Sequence, residues 1–242
     1  VNTLRTSRDE LLRELQGLGL EAVPTRWSPD GIELRGTSDP RQLPPYREGR
    51  LWVQDEASQL VAHLLGARPG ERVLDLCAAP GGKCGHLAQL MGDRGRIVAV
   101  DVSPRRVRLL RAGMRRLGVR AVEARCLDAS RPLGLGAFDR VLADVPCSGL
   151  GALRRHPELK WRRRPEDIPR FVSLQRALLL QAARALAPGG TLLYATCTLL
   201  AEENEGVVDY LLGQCPGLRL DDLSEHFPHC LLYTSPSPRD RG

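Results

Sequence analysis

From about Gln54 onward the sequence predicts an α/β fold built on a doubly wound, mostly parallel sheet. Three observations carry this expectation. Short apolar runs of strand length alternate with amphipathic helical runs. The first such strand, RVLDLC, passes through a glycine turn straight into a helix, as connections in parallel sheets do. The chain has 242 residues and 42% hydrophobic content, enough for one sizeable α/β domain with a full core and a small appendage.

The elements follow in chain order. TSRDELLRELQGLGLE reads as a helix N-capped by Ser7, with Glu10 completing a capping box and Gly17 or Gly19 near its end. Residues 20–53 are rich in Pro and Gly, with the short apolar pieces GIELRG and RLWVQ, and complete a small N-terminal α/β subdomain over 1–53. The opening VNTLR reads as already strand-like, so an upstream domain is expected before it. QDEASQLVAHLLG is an amphipathic helix, followed by strand RVLDLC and helix KCGHLAQLMG. Strand RIVAVDV, helix PRRVRLLRAGMRRLG and strands AVEARCLDA and FDRVLADV come next. PEDIPRFVSLQRALLLQAARALAPGG is a long helix, TLLYATC the last strand and AEENEGVVDYLLGQC the last helix. This second domain spans 54–229. Residues 230–242, CLLYTSPSPRDRG, lack periodicity and read as a disordered tail that is not native to the domain.

Composition narrows the function. No apolar run approaches the roughly 20 residues of a membrane span, and no signal-peptide pattern opens the chain, so a cytoplasmic location is expected. Seven cysteines at irregular positions fit a reduced compartment better than a disulfide framework. A net charge of +6 and a pI near 9.2 favour an anionic partner. Nearly all the positive charge is Arg, and Lys83, one of two lysines, stands out in its glycine loop.

In an open α/β sheet, ligands bind beyond the carboxyl ends of the strands. After the first sheet strand comes DLCAAPGGKCGH, whose Gly81 and Gly82 permit a tight turn and close backbone approach to a ligand. The loop has neither the G-x-G-x-x-G spacing of dinucleotide sites nor the spacing of a P-loop. The next strand ends in Asp101, placed to accept hydrogen bonds from a ribose, and the third is followed by Asp128, placed toward an adenine or its ribose edge. Acids after successive strands, with no phosphate fingerprint, suit a positively charged nucleoside such as S-adenosylmethionine.

The next two strands end in ADVPCSGLG and ATCT, so Asp144, Cys147 and Cys197 emerge at one crevice. A thiolate is a strong soft nucleophile. Carbon-5 of a pyrimidine is too unreactive to take a methyl group directly. Thiolate addition at carbon-6 turns carbon-5 into an enamine-like nucleophile, and Asp144 near the ring nitrogen eases that addition by donating a proton. Two thiols and one carboxyl suit this chemistry, although spacing alone does not say which thiol attacks. Cys77, Cys84, Cys126, Cys215 and Cys230 read as small apolar filler. No pair of cysteines has C-x-x-C spacing, so no metal is expected.

Taken together, VQDEAS, DLCAAPGGK, VAVDVS, ADVPCSGLG, RRHPELKW and YATCT resemble the Sun (Fmu-like) family of RNA cytosine-5 methyltransferases, on its bacterial small-subunit (16S) ribosomal RNA branch. The likeness covers roughly residues 1 to 229. It implies a Rossmann-like class I methyltransferase sheet. It also implies S-adenosylmethionine held by Cys77, Ala78, Ala79, Pro80, Gly81, Gly82, Lys83, Asp101, Asp128 and Asp144. Cys197 of the TC motif would be the nucleophile, and Cys147 of the PC motif would assist product release. Thr198 stands where the family usually has Ser, and Val145 where Ala is common. Bacterial members also carry a helical RNA-binding domain resembling the antitermination factor NusB and close on a strand pair with a DGFF-like segment; neither is legible in these residues.

LRRHPELKWRRR gathers Arg154, Arg155, His156, Lys160 and Arg162 around Trp161 beside the crevice. The charges suit phosphates and the aromatic plane suits an unpaired base. The expected partner is therefore RNA in a single-stranded or looped segment, from which the target base can leave its stack, and the protein is expected to act as a monomer. Two other readings make different demands on these residues. A base amino-group methyltransferase would carry an Asn/Asp-Pro-Pro-aromatic motif where Asp144-Val145-Pro146-Cys147 stands. A non-catalytic RNA-binding paralogue would have no need of Asp144, Cys147 and Cys197.

Overall fold

The Ser7 hydroxyl accepts from the Glu10 amide, and the Glu10 carboxylate accepts from the Ser7 amide, so the expected capping box starts helix α1 (Arg8–Gly17). The protein is represented by a computed structural model that describes residues 1–36 and 39–223. Leu11 and Leu15, one turn apart, bury the inner face of α1 against Ala22 and Leu51. Strands β1 (Glu21–Pro24) and β2 (Ile32–Arg35) pair antiparallel beside it, and a short helix α2 (Pro44–Arg47) follows. The opening residues are not a strand. Asn2 is fully buried, and its amide donates to the carbonyls of Gly49 and Leu117, fastening this segment to the larger unit by side chain rather than by a ladder. RLWVQ likewise forms no strand.

The larger unit alternates as expected: α3 (Glu56–Leu65), β3 (Arg72–Leu76), α4 (Gly82–Leu90), β4 (Arg96–Asp101), α5 (Pro104–Leu117), β5 (Val122–Cys126) and β6 (Phe138–Asp144). A short α6 (Leu159–Arg162), the long α7 (Ile168–Arg184), β7 (Leu186–Ala195) and α8 (Glu205–Gln214) complete it. The five strands from β3 onward are all parallel, in the order β5-β4-β3-β6-β7. The sheet is thus doubly wound about β3, with the chain reversing direction of travel between β3 and β6.

The strands read as near-continuous apolar runs because both faces are covered. Val73, Ile97, Ala99 and Leu142 pack on one face with residues of α3, α4 and α5. Their neighbours Leu74, Leu76, Val98, Val100, Val141 and Ala143 pack on the other with residues of α7 and α8. Each fully buried Leu, Ile or Phe contributes about 1.5–3 kcal/mol relative to exposure.

One boundary differs from expectation. The long helix ends at Arg184, and Leu186 already pairs with Phe138; APGG belongs to β7. The next register pair is Arg140 with Thr191, so the Pro188-Gly189-Gly190 stretch bulges out of the ladder. Cys126, expected as buried filler, is exposed at the end of edge strand β5, its thiol at 3.5 Å from the Val102 carbonyl. Residues 230–242, read as a disordered tail, lie outside the described residues. Among the described residues no helix is long and apolar enough to cross a membrane.

Candidate active site

The carboxyl ends of β3, β6 and β7 meet at one cleft. Beyond β3, Cys77 takes φ +59°, a left-handed conformation that costs a non-glycine residue about 1–2 kcal/mol and turns the chain sharply into the loop. The loop holds a cis Ala79–Pro80 bond and Gly81 at φ +111°, and delivers Gly82 and Lys83 to the first turn of α4. Lys83 reaches across to β6, its Nζ donating to Asp144 Oδ2 at 2.7 Å. An open cleft of about 170 Å³ lies over this pair, lined by Trp52, Gln54, Asp75, Ala79, Lys83 and Asp144 among others.

Asp75 was not anticipated. It is fully buried in β3, and neither carboxylate oxygen has a hydrogen-bond partner among the described residues. Burial first, and then the nearby charge of Asp144, push its carboxyl well above the usual carboxylate range. A protonated acid on the wall of the cleft is a buried group awaiting a polar partner. Burial likewise pushes the Cys77 thiol up to about 12, so Cys77 is no nucleophile.

Asp101 ends β4 with its side chain almost wholly buried, Oδ1 accepting from the Ser103 amide. Oδ2 lies 3.2 Å from the Arg106 guanidinium without hydrogen-bond alignment, which leaves an acceptor available. Arg106 also donates to the Ala79 carbonyl, so it spans β4 and the loop. Asp128 stands differently: it is exposed, and its carboxylate accepts from Ser130 and pairs with Arg131, as a turn cap does. Asp75 and Asp144 line the cleft, and Asp101 ends the neighbouring strand β4. An acidic wall with free acceptors and a glycine loop at a helix N-terminus fits a cation bearing a ribose.

At the other side of the cleft, Cys147 Sγ and Cys197 Sγ stand 3.2 Å apart, and the Cys197 amide donates to Cys147 Sγ at 3.3 Å. Both thiols are free. Cys147 is buried and Cys197 exposed, so negative charge settles on Cys197 while the Cys147 S–H donates to it. That hydrogen bond, aided by Lys83, brings Cys197 down to about 7 and drives Cys147 strongly upward.

A buried network fixes both cysteine loops. Glu203, fully buried, accepts through Oε2 from the Ser148 amide at 2.9 Å and from Gln175 Nε2 at 2.8 Å. Gln175 also donates to the Pro146 carbonyl, Ser148 Oγ bonds Thr198 Oγ1 at 2.8 Å, and Gly151 N donates to the Cys197 carbonyl. The Thr198 that stands in place of Ser therefore keeps the hydroxyl the network uses. Ser148 and Glu203 carry no sequence signal beyond closeness to the cysteine motifs, and Gln175, in the middle of α7, carries none.

Among the basic residues, Arg154, Lys160 and Arg162 are exposed, His156 pairs with Glu158, and Arg155 pairs with Asp55. Trp161 does not anchor the loop: it is 82% exposed, with Lys160 Nζ 5.4 Å from its ring centre. Arg163 turns inward and donates to the Ser148 carbonyl at 2.8 Å.

A family model described as 16S rRNA methyltransferase RsmB/F matches residues 62–234. The chain belongs to the RsmB/F family. A probable ribosomal RNA small subunit methyltransferase B of Synechocystis is 42% identical over 216 residues, covering 88% of this chain and 48% of that protein. The ribosomal RNA small subunit methyltransferase B of Sodalis glossinidius is 42% identical over 229 residues, covering 93% and 52%. The chain thus spans about half the length of the curated RsmB relatives it matches. Among solved structures, NSun6 from Pyrococcus horikoshii with SFG superposes with a TM-score of 0.81 at 26% identity, over 88% of this chain and 78% of that one. The RsmB/F assignment and the doubly wound parallel sheet agree.

Proposed function

We propose that this protein transfers a methyl group from S-adenosylmethionine to carbon-5 of a cytosine in small-subunit ribosomal RNA, through a covalent adduct between Cys197 and the base. Membership of a ribosomal RNA methyltransferase family supports the substrate class, and SFG, an analogue of S-adenosylmethionine, in a structural relative supports the cofactor. The observation that carries the chemistry is the contact between a buried thiol and an exposed one whose pKa lies near 7.

When bound, S-adenosylmethionine supplies an electrophilic methyl group. The loop Cys77–Lys83 and Asp101 would hold it: the backbone of Ala78 to Gly82 would allow close approach, and Asp101 Oδ2 would be the acceptor for a ribose hydroxyl. Asp128, already satisfied by Ser130 and Arg131, contributes at most at the outer edge. The Cys197 thiolate adds to carbon-6 of the flipped-out cytosine, and a proton passes from the Lys83–Asp144 pair to the ring nitrogen. Carbon-5 then bears the electron density that takes the methyl. Loss of the carbon-5 proton to solvent expels the Cys197 thiolate, the ring nitrogen returns its proton to the Lys83–Asp144 pair, and the Cys147 S–H stabilises the departing sulfur. Arg154, Arg155, His156, Lys160 and Arg162 bind the RNA backbone, with Trp161 stacking on an unpaired base. Residues 1–53 form the linker flank of the RNA surface, and 54–229 the catalytic domain.

The test is transfer of labelled methyl to small-subunit ribosomal RNA, with the modified base identified after digestion. Cys197→Ala is expected to abolish transfer. Cys147→Ala is expected to bind RNA covalently and accumulate the adduct on a denaturing gel. Undiminished transfer by Cys197→Ala, or methyl found on an amino group, would overturn the proposal.

A further inference from the structure

Away from the cleft, Asp30 in the β1–β2 turn faces His63 of α3 and His86 of α4. Asp30 Oδ2 lies 3.1 Å from His63 Nε2 and 3.2 Å from His86 Nε2. The two imidazoles stand nearly perpendicular, at 86°, with ring centres 4.8 Å apart. One ligand atom from each of the three residues lies within 4.8 Å of the other two. In a tetrahedral site with bonds of about 2.0–2.1 Å, ligand atoms stand roughly 3.3 Å apart, so the carboxylate–imidazole spacings are those of a coordination edge.

Hydrogen bonding alone leaves this cluster incomplete. His86 Nε2 is aligned with Asp30 as a hydrogen bond, but His63 Nε2 is buried and has no aligned partner among the described residues. Gln89, one turn along α4 from His86 and 7% exposed, also buries an Oε1 without a partner. Gln89, His86 and Asp30 line a small cavity of about 20 Å³ open to water centres, room for a single water molecule.

We propose that Asp30, His63 and His86 bind a zinc-type divalent cation, with a water held by Gln89 as the fourth ligand. Two imidazoles and one carboxylate suit zinc and its borderline neighbours rather than calcium or magnesium, which take oxygen ligands. The cation would join the N-terminal unit to α3 and to α4, whose first turn carries Lys83. Its part is structural and independent of the methyl-transfer chemistry.

The probe is Co²⁺, titrated into the chelator-stripped full chain and followed by visible absorption. One equivalent is expected to give the intense bands of a tetrahedral ion, to be displaced by Zn²⁺, and to raise the melting temperature. Binding is expected to be lost in both Asp30→Asn and His63→Gln, with folding checked by circular dichroism. It is expected to persist when Cys147 and Cys197 are both replaced by Ser. Absence of stoichiometric uptake would overturn the proposal, and so would uptake indifferent to Asp30→Asn and His63→Gln or abolished by the cysteine replacements.

Discussion

Replacing Glu203 isolates what holds the two cysteine loops together. Glu203→Ala withdraws one buried oxygen from two donors, the Ser148 amide at 2.9 Å and Gln175 Nε2 at 2.8 Å. Each buried group left unsatisfied costs about 1–3 kcal/mol, so the loss is about 2–6 kcal/mol, with a small cavity penalty in addition. For a chain of this size each kcal/mol lowers the melting temperature by roughly 2–4 °C, giving a fall of roughly 4–24 °C by calorimetry. Glu203→Gln keeps an amide oxygen for both donors and puts its NH₂ where Oε1 now has no partner. It is therefore expected to melt within roughly 1 kcal/mol of the parent. The Ala variant is also expected to lose methyl transfer out of proportion to its folded fraction, because Ser148 adjoins Cys147 and bonds Thr198 beside Cys197. Equal melting of the Ala and Gln variants, or an Ala variant as stable as the parent, would refute this account.

The pH profile of kcat/KM is expected to rise as pH climbs through about 7 and then level off, because the nucleophile is the deprotonated Cys197 and its protonation below that value removes it. A profile flat from pH 6 to 9 would contradict the assignment. Lys83→Met removes a cation that favours the Cys197 thiolate, so the midpoint is expected to move up by roughly half a unit to one unit, read from the same profile. Trp161→Ala is expected to weaken binding to a single-stranded ribosomal RNA fragment by about 1–3 kcal/mol, roughly 5- to 150-fold by fluorescence anisotropy. Its melting temperature should not change, since the ring is 82% exposed; lost stability with intact affinity would assign the ring to packing instead.

How much was legible in the sequence follows from the range of each interaction. The Ser7–Glu10 capping box spans three residues, and the strand–helix alternation is set by local periodicity, so both could be read directly. Cys147 and Cys197 were legible because each ends an apolar run. Asp75 was hidden inside its run, where one acid among Val, Leu and Leu looks like an interruption. Glu203 meets Ser148 across 55 residues and Gln175 across 28, and Asp30 meets His86 across 56, separations at which no local pattern survives. The early strand at VNTLR failed because short apolar pieces fit a strand equally well whether or not a partner exists. Asn2 took the backbone hydrogen-bonding role there instead.

The cysteine pair has a consequence for assembly. The sulfurs are 50 residues apart in sequence and 3.2 Å apart in space, and they meet because Asp144 of β6 pairs with Ala195 of β7. A slip of two residues along β7 would keep every side chain on its proper face and most of the burial, yet displace Cys197 by about 6.6 Å, beyond any reach of its partner. Hydrophobic burial tolerates that error far better than the chemistry does. The bulge at Pro188–Gly190 and the Glu203 network sit at opposite ends of β7, where they fix its alignment. Formation of the thiol pair therefore reports correct sheet register, and a chain folded two residues out of line along β7 would be compact and chemically silent.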